Sequence, residues 1–138
     1  MSAEQLLSSV PESDTVIVAD LEAGIGTLTR LPEGSVDTTL VIVEPTPRSI
    51  DVGQRAVLVA SERQQGRITV VANKVADGDD EARVRAAFND HDVVIVPVDP
   101  VVTAADRKGA SPMDVDPEAP AVNAIAGLAS LLAETTGT

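Results

Sequence analysis

The sequence predicts an α/β domain built on a parallel sheet of about four strands with helices on both faces. Three observations lead there. Short apolar runs rich in Val and Ile, at residues 15–19, 39–43, 67–72 and 92–96, are continuous rather than alternating in polarity. Such runs suit strands buried on both faces. Segments with apolar residues at helical spacing separate them, and strands that alternate with helices favour parallel pairing. Each run also ends at a polar or charged residue: Asp20, Glu44, Asn73 and Asp99.

Taken in order, Ser2 with Gln5 forms a capping-box pattern that opens a short helix through Val10. Pro11 to Asp14 is a turn before the first strand. After the second strand, Thr46 precedes a helix with Pro47 at its first position, running to about Gln65 and burying Ile50, Val57 and Ala60. The third strand runs up to Asn73 and Lys74. An acidic turn at residues 77–80 then leads into a helix with Val84, Ala87 and Phe88 on one face. Beyond the fourth strand, Asp99 caps a helix that has Pro100 at its start and Gly109 just past its end. A Pro- and Asp-rich loop covers residues 110–120. The last helix, residues 121–134, places Val122, Ile125, Ala129 and Leu132 at helical spacing. With no internal repeat and no dividing linker, residues 1–138 read as a single domain.

Composition narrows the class of function. The chain has 138 residues, 43% hydrophobic, enough to bury roughly two-thirds of its unfolded surface. No apolar stretch approaches the ~20 residues of a membrane helix, and the first residues lack the basic flank and apolar core of a signal peptide. A cytoplasmic location is expected. The absence of Cys excludes disulfides, a thiol nucleophile and a thiolate metal site. A net charge of −12 and a single aromatic residue, Phe88, argue against direct nucleic-acid binding, which needs clustered cations or stacking rings. Lys occurs only at positions 74 and 108. That acidic, Lys-poor balance fits a protein kept soluble in high salt, or an ordinary acidic domain from a GC-rich genome.

In open α/β sheets, ligands bind beyond the carboxyl ends of the strands, where Asp20, Glu44, Asn73 and Asp99 fall. Turns and strand ends also prefer such residues for reasons unrelated to ligands. The segment from Asp20 to Gly24 has a D-x-x-x-G pattern. An Asp closing a buried strand can hold Mg²⁺ through water, and Gly lets backbone approach a phosphate closely. A turn with Gly24 and Gly26 is the simpler reading of the same residues. The amide of Asn73, followed by Lys74, can read a base edge, although Asn also tolerates a tight turn. Guanine readers place an Asp two residues beyond that Lys, and here the position is Ala76, so adenine is favoured. Asp99 before Pro100 is better suited to capping than to catalysis, and His91 has no partner that would make it catalytic. Glu44 could approach a metal but also suits a solvated turn. No Ser-His-Asp arrangement is legible.

These segments resemble the MinD/ParA-like ATPases, nearest the branch of carbon monoxide dehydrogenase nickel-insertion ATPases. Residues 16–25 resemble the family's switch II strand and loop, and residues 43–49 the following strand and helix start. Residues 70–75 are similar to its adenine-reading strand end. Residues 96–99 with 105–109 resemble its later nucleotide loop and helix. The likeness runs in order from about Asp14 to Leu132. It implies a partial P-loop NTPase, Rossmann-like fold corresponding to the family's C-terminal half. By resemblance, Asp20 and Gly24 would serve the Mg²⁺ and γ-phosphate side, and Asn73, Lys74, Pro97 and Asp99 the adenine side. ATP and Mg²⁺ are the implied ligands, weakly held or absent in the isolated chain.

The resemblance also marks a departure. Nothing in the 138 residues matches the Walker A pattern G-x-x-x-x-G-K-[ST], whose backbone N–H groups cradle phosphates. In the family the P-loop strand lies between the strands that correspond to residues 15–19 and 39–43. Those two strands are therefore expected to close on each other or to accept a partner. Three functions follow: a P-loop-less partner or regulator of a complete Walker A ATPase; half of a split ATPase; or an interaction module without nucleotide. The first is favoured, with a protein partner or a homodimer expected and no ATP hydrolysis by this chain alone.

Overall fold

A computed structural model of the chain describes Gln5, residues 16–21 and residues 25–136. The elements are α1 (Gly26–Arg30), β1 (Thr38–Val43), α2 (Pro47–Glu62), β2 (Arg67–Val75), α3 (Gly78–Ala87), β3 (Asp92–Pro97), α4 (Pro100–Lys108), α5 (Pro112–Val115) and α6 (Pro120–Thr136). The strands form one parallel sheet in the order β1-β2-β3. β1 and β2 run in register from Thr38 opposite Arg67 to Val43 opposite Ala72.

Alternate side chains leave each strand on opposite sides, so a continuous apolar run feeds two layers. Val41 and Val43, Val70, Ala72 and Val75 pack with Ile50 and Val57 of α2, Val84 of α3 and Phe88. On the opposite face, Val71 and Val96 meet Ala121 and Leu128 of α6, with Leu40 and Val94 partly buried beside them. Helices thus lie on both faces, as expected.

The sheet has three strands among the described residues, not about four. Residues 16–20 form no strand, and Val16, Ile17 and Val18 are exposed. Apolar composition alone does not make a strand. The run needs a neighbour for its backbone, and it does not close on β1. The helix expected from Ser2 to Val10 lies outside the described residues except for Gln5, as does the start of that first strand at Thr15.

Other differences are local. A five-residue helix, α1, was not expected. It buries Leu28 and, just beyond it, Leu31 against Ala60 of α2. α2 ends at Glu62 rather than near Gln65, and α5 occupies the segment expected as loop. On α6, Val122 is buried, but Ile125 is 50% exposed and Ala129 is also exposed. The buried face instead runs through Ala121 and Leu128, because α6 lies mainly across β3.

The connection from α2 to β2 is held by a side chain that the sequence pattern did not single out. Gln65 is fully buried. Its amide oxygen accepts from Ser35 N (2.9 Å), its amide nitrogen donates to Pro32 O (2.8 Å), and its carbonyl accepts from Thr39 Oγ1 (2.8 Å). Arg63 also donates to the carbonyl of Leu31. These bonds tie residues 31–39 to the end of α2 and satisfy a buried amide whose unmade bonds would each cost ~1–3 kcal/mol.

Candidate nucleotide-binding edge

All three strands end on one edge, and the N-termini of α2, α3 and α4 start there. Each is capped by a side chain: Thr46 accepts from Ser49 N, Asp77 from Asp80 N, and Asp99 from Val101 N. Ser49 Oγ in turn accepts from Glu44 N at 2.8 Å, which fixes the turn out of β1. The capping residues follow the sequence logic of Thr or Asp ahead of Pro or an acidic first turn.

At the end of β2 the ladder is irregular. Ala72 pairs with Ile95, but the next pair is Val75 with Pro97, so three steps on β2 meet two on β3. The extra residue falls within Asn73-Lys74, and Lys74 has φ +58°. A left-handed, non-glycine residue costs ~1–2 kcal/mol. Bulges of this kind re-aim side chains and concentrate near functional sites. The Lys74 ammonium reaches Glu44 Oε1 at 2.9 Å, linking the ends of β1 and β2. Asn73 is half-buried beside it. Across the ladder, Val98 N donates to Val75 O at 2.9 Å, while the Val98 side chain is exposed next to Pro97. The end of β2 thus carries an amide and an ammonium, the ammonium turned to Glu44, while the next strand ends in Pro97 and the exposed Val98. Val98 was not singled out from the sequence. A Val after a strand's last Pro carries no local signal of being left in solvent.

Asp99 lies at the same edge but has a different occupation. It is buried, and while Oδ1 caps α4, Oδ2 accepts from Ala121 N at 3.0 Å. Both oxygens are thereby committed to joining the starts of α4 and α6. Asp20 follows the exposed non-strand run, with no sheet hydrogen bond to fix it on this edge, and Gly24 lies outside the described residues. Among the described residues, no three His, Cys, Asp or Glu side chains are grouped to hold a metal ion. Glu44 is engaged with Lys74. No helix among the described residues is long and apolar enough to cross a membrane.

The strand ends and helix starts of this α/β domain thus share one edge. Comparison with known proteins makes the relationship specific. The chain is 27% identical over 132 residues to an uncharacterized ATP-binding protein of Methanocaldococcus jannaschii, covering 94% of this chain and 50% of that protein. It is 30% identical over 102 residues to the carbon monoxide dehydrogenase accessory protein CooC of Rhodospirillum rubrum, covering 73% of this chain and 39% of that one. The MinD cell division protein of Aquifex aeolicus shares the fold, with a TM-score of 0.56 at 19% identity over 83% of this chain and 47% of the MinD chain. No protein-family model matches. The chain resembles the MinD/ParA-like ATP-binding proteins, on the side of the carbon monoxide dehydrogenase accessory protein, and it spans about half the length of the first of these relatives.

Proposed function

We propose that the chain is a nucleotide-binding-type domain of the MinD/ParA kind, cytoplasmic, that works as a partner or regulator of a Walker A-bearing ATPase. The observation that carries this reading is the bulged end of β2. There a left-handed Lys74 follows Asn73, and the neighbouring strand ends at Pro97 and the exposed Val98. Strain retained at a strand end, on the edge where α/β sheets bind ligands, supports a base-reading site there. Asn73 would read the base edge through its amide, and Pro97 with Val98 would take one face of the ring. Ala76 removes the carboxylate that would pair with guanine donors.

Adenine preference is the direct test. Titration calorimetry should find ATP bound weakly but more tightly than GTP, and Asn73→Ala should weaken ATP about fivefold, the loss expected for one hydrogen bond of ~1 kcal/mol. Tighter GTP binding, or an unchanged ATP affinity in the variant, would remove the base-reading role.

Hydrolysis is a separate matter. Phosphoryl transfer depends on a lysine and a backbone cradle around the phosphates, and the 138 residues contain no Walker A pattern. Phosphate release by the purified chain should stay at background, and Asp20→Ala should leave it there. Turnover at ordinary enzyme rates that disappears in the Asp20 variant would show an active phosphate site. The half-length match to the relatives also accommodates an ATPase divided between two chains. Turnover that arises only on mixing with a Walker A chain would select that alternative.

A further inference from the structure

We infer that Glu44 and Lys74 are positioning residues that aim the Asn73 amide, so that their ion pair sets the preference for adenine over guanine nucleotides. This rests on the base-reading role of Asn73 proposed above.

The bulge is pinned on both sides. Ala72 is fully buried and pairs with Val43 of β1 and Ile95 of β3. Val75 is buried opposite Pro97, and its carbonyl accepts from Val98 N. Ala76 N then donates to Asp80 Oδ2 at 3.0 Å. The two residues between, Asn73 and Lys74, are matched to no residue in either ladder. A side chain ties them down instead, through the 2.9 Å bridge from Lys74 to Glu44. Glu44 is itself held, since its N–H donates to Ser49 Oγ and its carbonyl accepts from Thr46 N, both at 2.8 Å. A line of contacts thus runs from the start of α2 through Glu44 and Lys74 to the peptide that follows Asn73.

Stability does not account for this lysine. The side chains of the bridge are 68% exposed for Lys74 and 46% for Glu44. An exposed ion pair shifts a folding equilibrium by about fivefold at most. The left-handed backbone at Lys74 costs about five- to thirtyfold, and Gly would adopt it freely. The pair returns no more than the conformation costs. What it does supply is geometry: a left-handed residue drawn toward β1 fixes how the backbone leaves Asn73, and a bulge re-aims the side chains within it.

The charge of Glu44 makes the test one of sign. A carboxylate on this edge opposes an anionic ligand. Neutralising it in Glu44→Gln would tighten ATP and GTP alike if the pair had no positioning role. With that role, titration calorimetry should show ATP weakened about threefold and GTP not weakened, so that the ATP/GTP affinity ratio falls toward that of Asn73→Ala. Adding Glu44→Gln to Asn73→Ala should lower the ratio no further. Lys74→Gly should lose the same ratio while its urea midpoint stays level or rises. The two nucleotides carry equal charge, so salt at about 1 M should lower the wild-type ratio by screening the pair and leave that of Glu44→Gln unchanged. A ratio kept in Glu44→Gln or Lys74→Gly, a further fall on the Asn73→Ala background, or a lowered urea midpoint in Lys74→Gly would overturn the inference. The two readings fail distinguishably. An Asn73→Ala chain with the wild-type ratio ends the base-reading role and this inference together. A ratio lost in Asn73→Ala but kept in Glu44→Gln ends this inference alone.

Discussion

Gly66→Ala should lower the stability of the domain by ~3 kcal/mol or more, a large share of the ~5–15 kcal/mol that holds a domain folded. Gly66 sits between α2 and β2 with φ +70°. A Cβ there would lie 2.1 Å from Asp37 O, 2.4 Å from Asp37 C and 2.7 Å from Val36 O. All three atoms belong to backbone and cannot swing aside. Asp37 is itself anchored, since its carbonyl accepts from Arg67 N at 3.0 Å at the start of the β1–β2 pairing. Relief of the clash must therefore disturb the ladder. Gly109 supplies the comparison, with φ +65° and open space around it. Gly109→Ala carries the left-handed penalty without the collision and should cost only ~1 kcal/mol. Urea unfolding of both variants separates the effects. Equal losses would mean that backbone conformation alone matters at Gly66.

The second large effect is expected at Asp99. Asp99→Ala removes the α4 cap and the bond to Ala121 N together, and leaves two N–H groups near a buried position without their acceptor. Charge-assisted bonds contribute ~1.5–3 kcal/mol each and a cap about 1, so a loss of ~3 kcal/mol is expected. Asp99→Asn keeps one oxygen for the cap but cannot offer a second acceptor to Ala121, and should fall between the two. Hydrogen exchange at Ala121 should quicken in both variants. An unchanged melting temperature with weakened ATP binding would instead return Asp99 to the ligand site.

Sequence reading succeeded where the cause of structure is local. β1, β3 and α4 follow from apolar runs, from Pro100 at a first helical turn, and from Gly109, which is left-handed just past the helix. The same local signal misled at residues 16–19, whose composition matches the other strands but which pair with no strand among the described residues. α1 was hidden because Gly-Thr-Leu-Thr-Arg has no side-chain cap and buries one residue of its own. For the site, the strand-end rule brought Asn73, Lys74, Pro97 and Asp99 to one edge. It did not show that Asp99 is consumed by helix starts. Nor did it show the bulge, since the left-handed residue is Lys74 and not the Asn or Gly that would announce one.

The order β1-β2-β3 also bears on how the chain finds its fold. Thr38 pairs with Arg67, 29 residues on, and Thr69 with Asp92, 23 residues on. Each strand thus meets the next across a single intervening helix. Loop-closure entropy grows slowly with such separations, and topologies rich in near-sequence pairing fold quickly for parallel sheets. β2 contributes Val70 to the core on one face and Val71 to the core on the other, while Ile68 packs against the α1 cluster. A folding nucleus centred on β2 would recruit β1 and β3 from either side. The sheet would then grow outward from its middle strand.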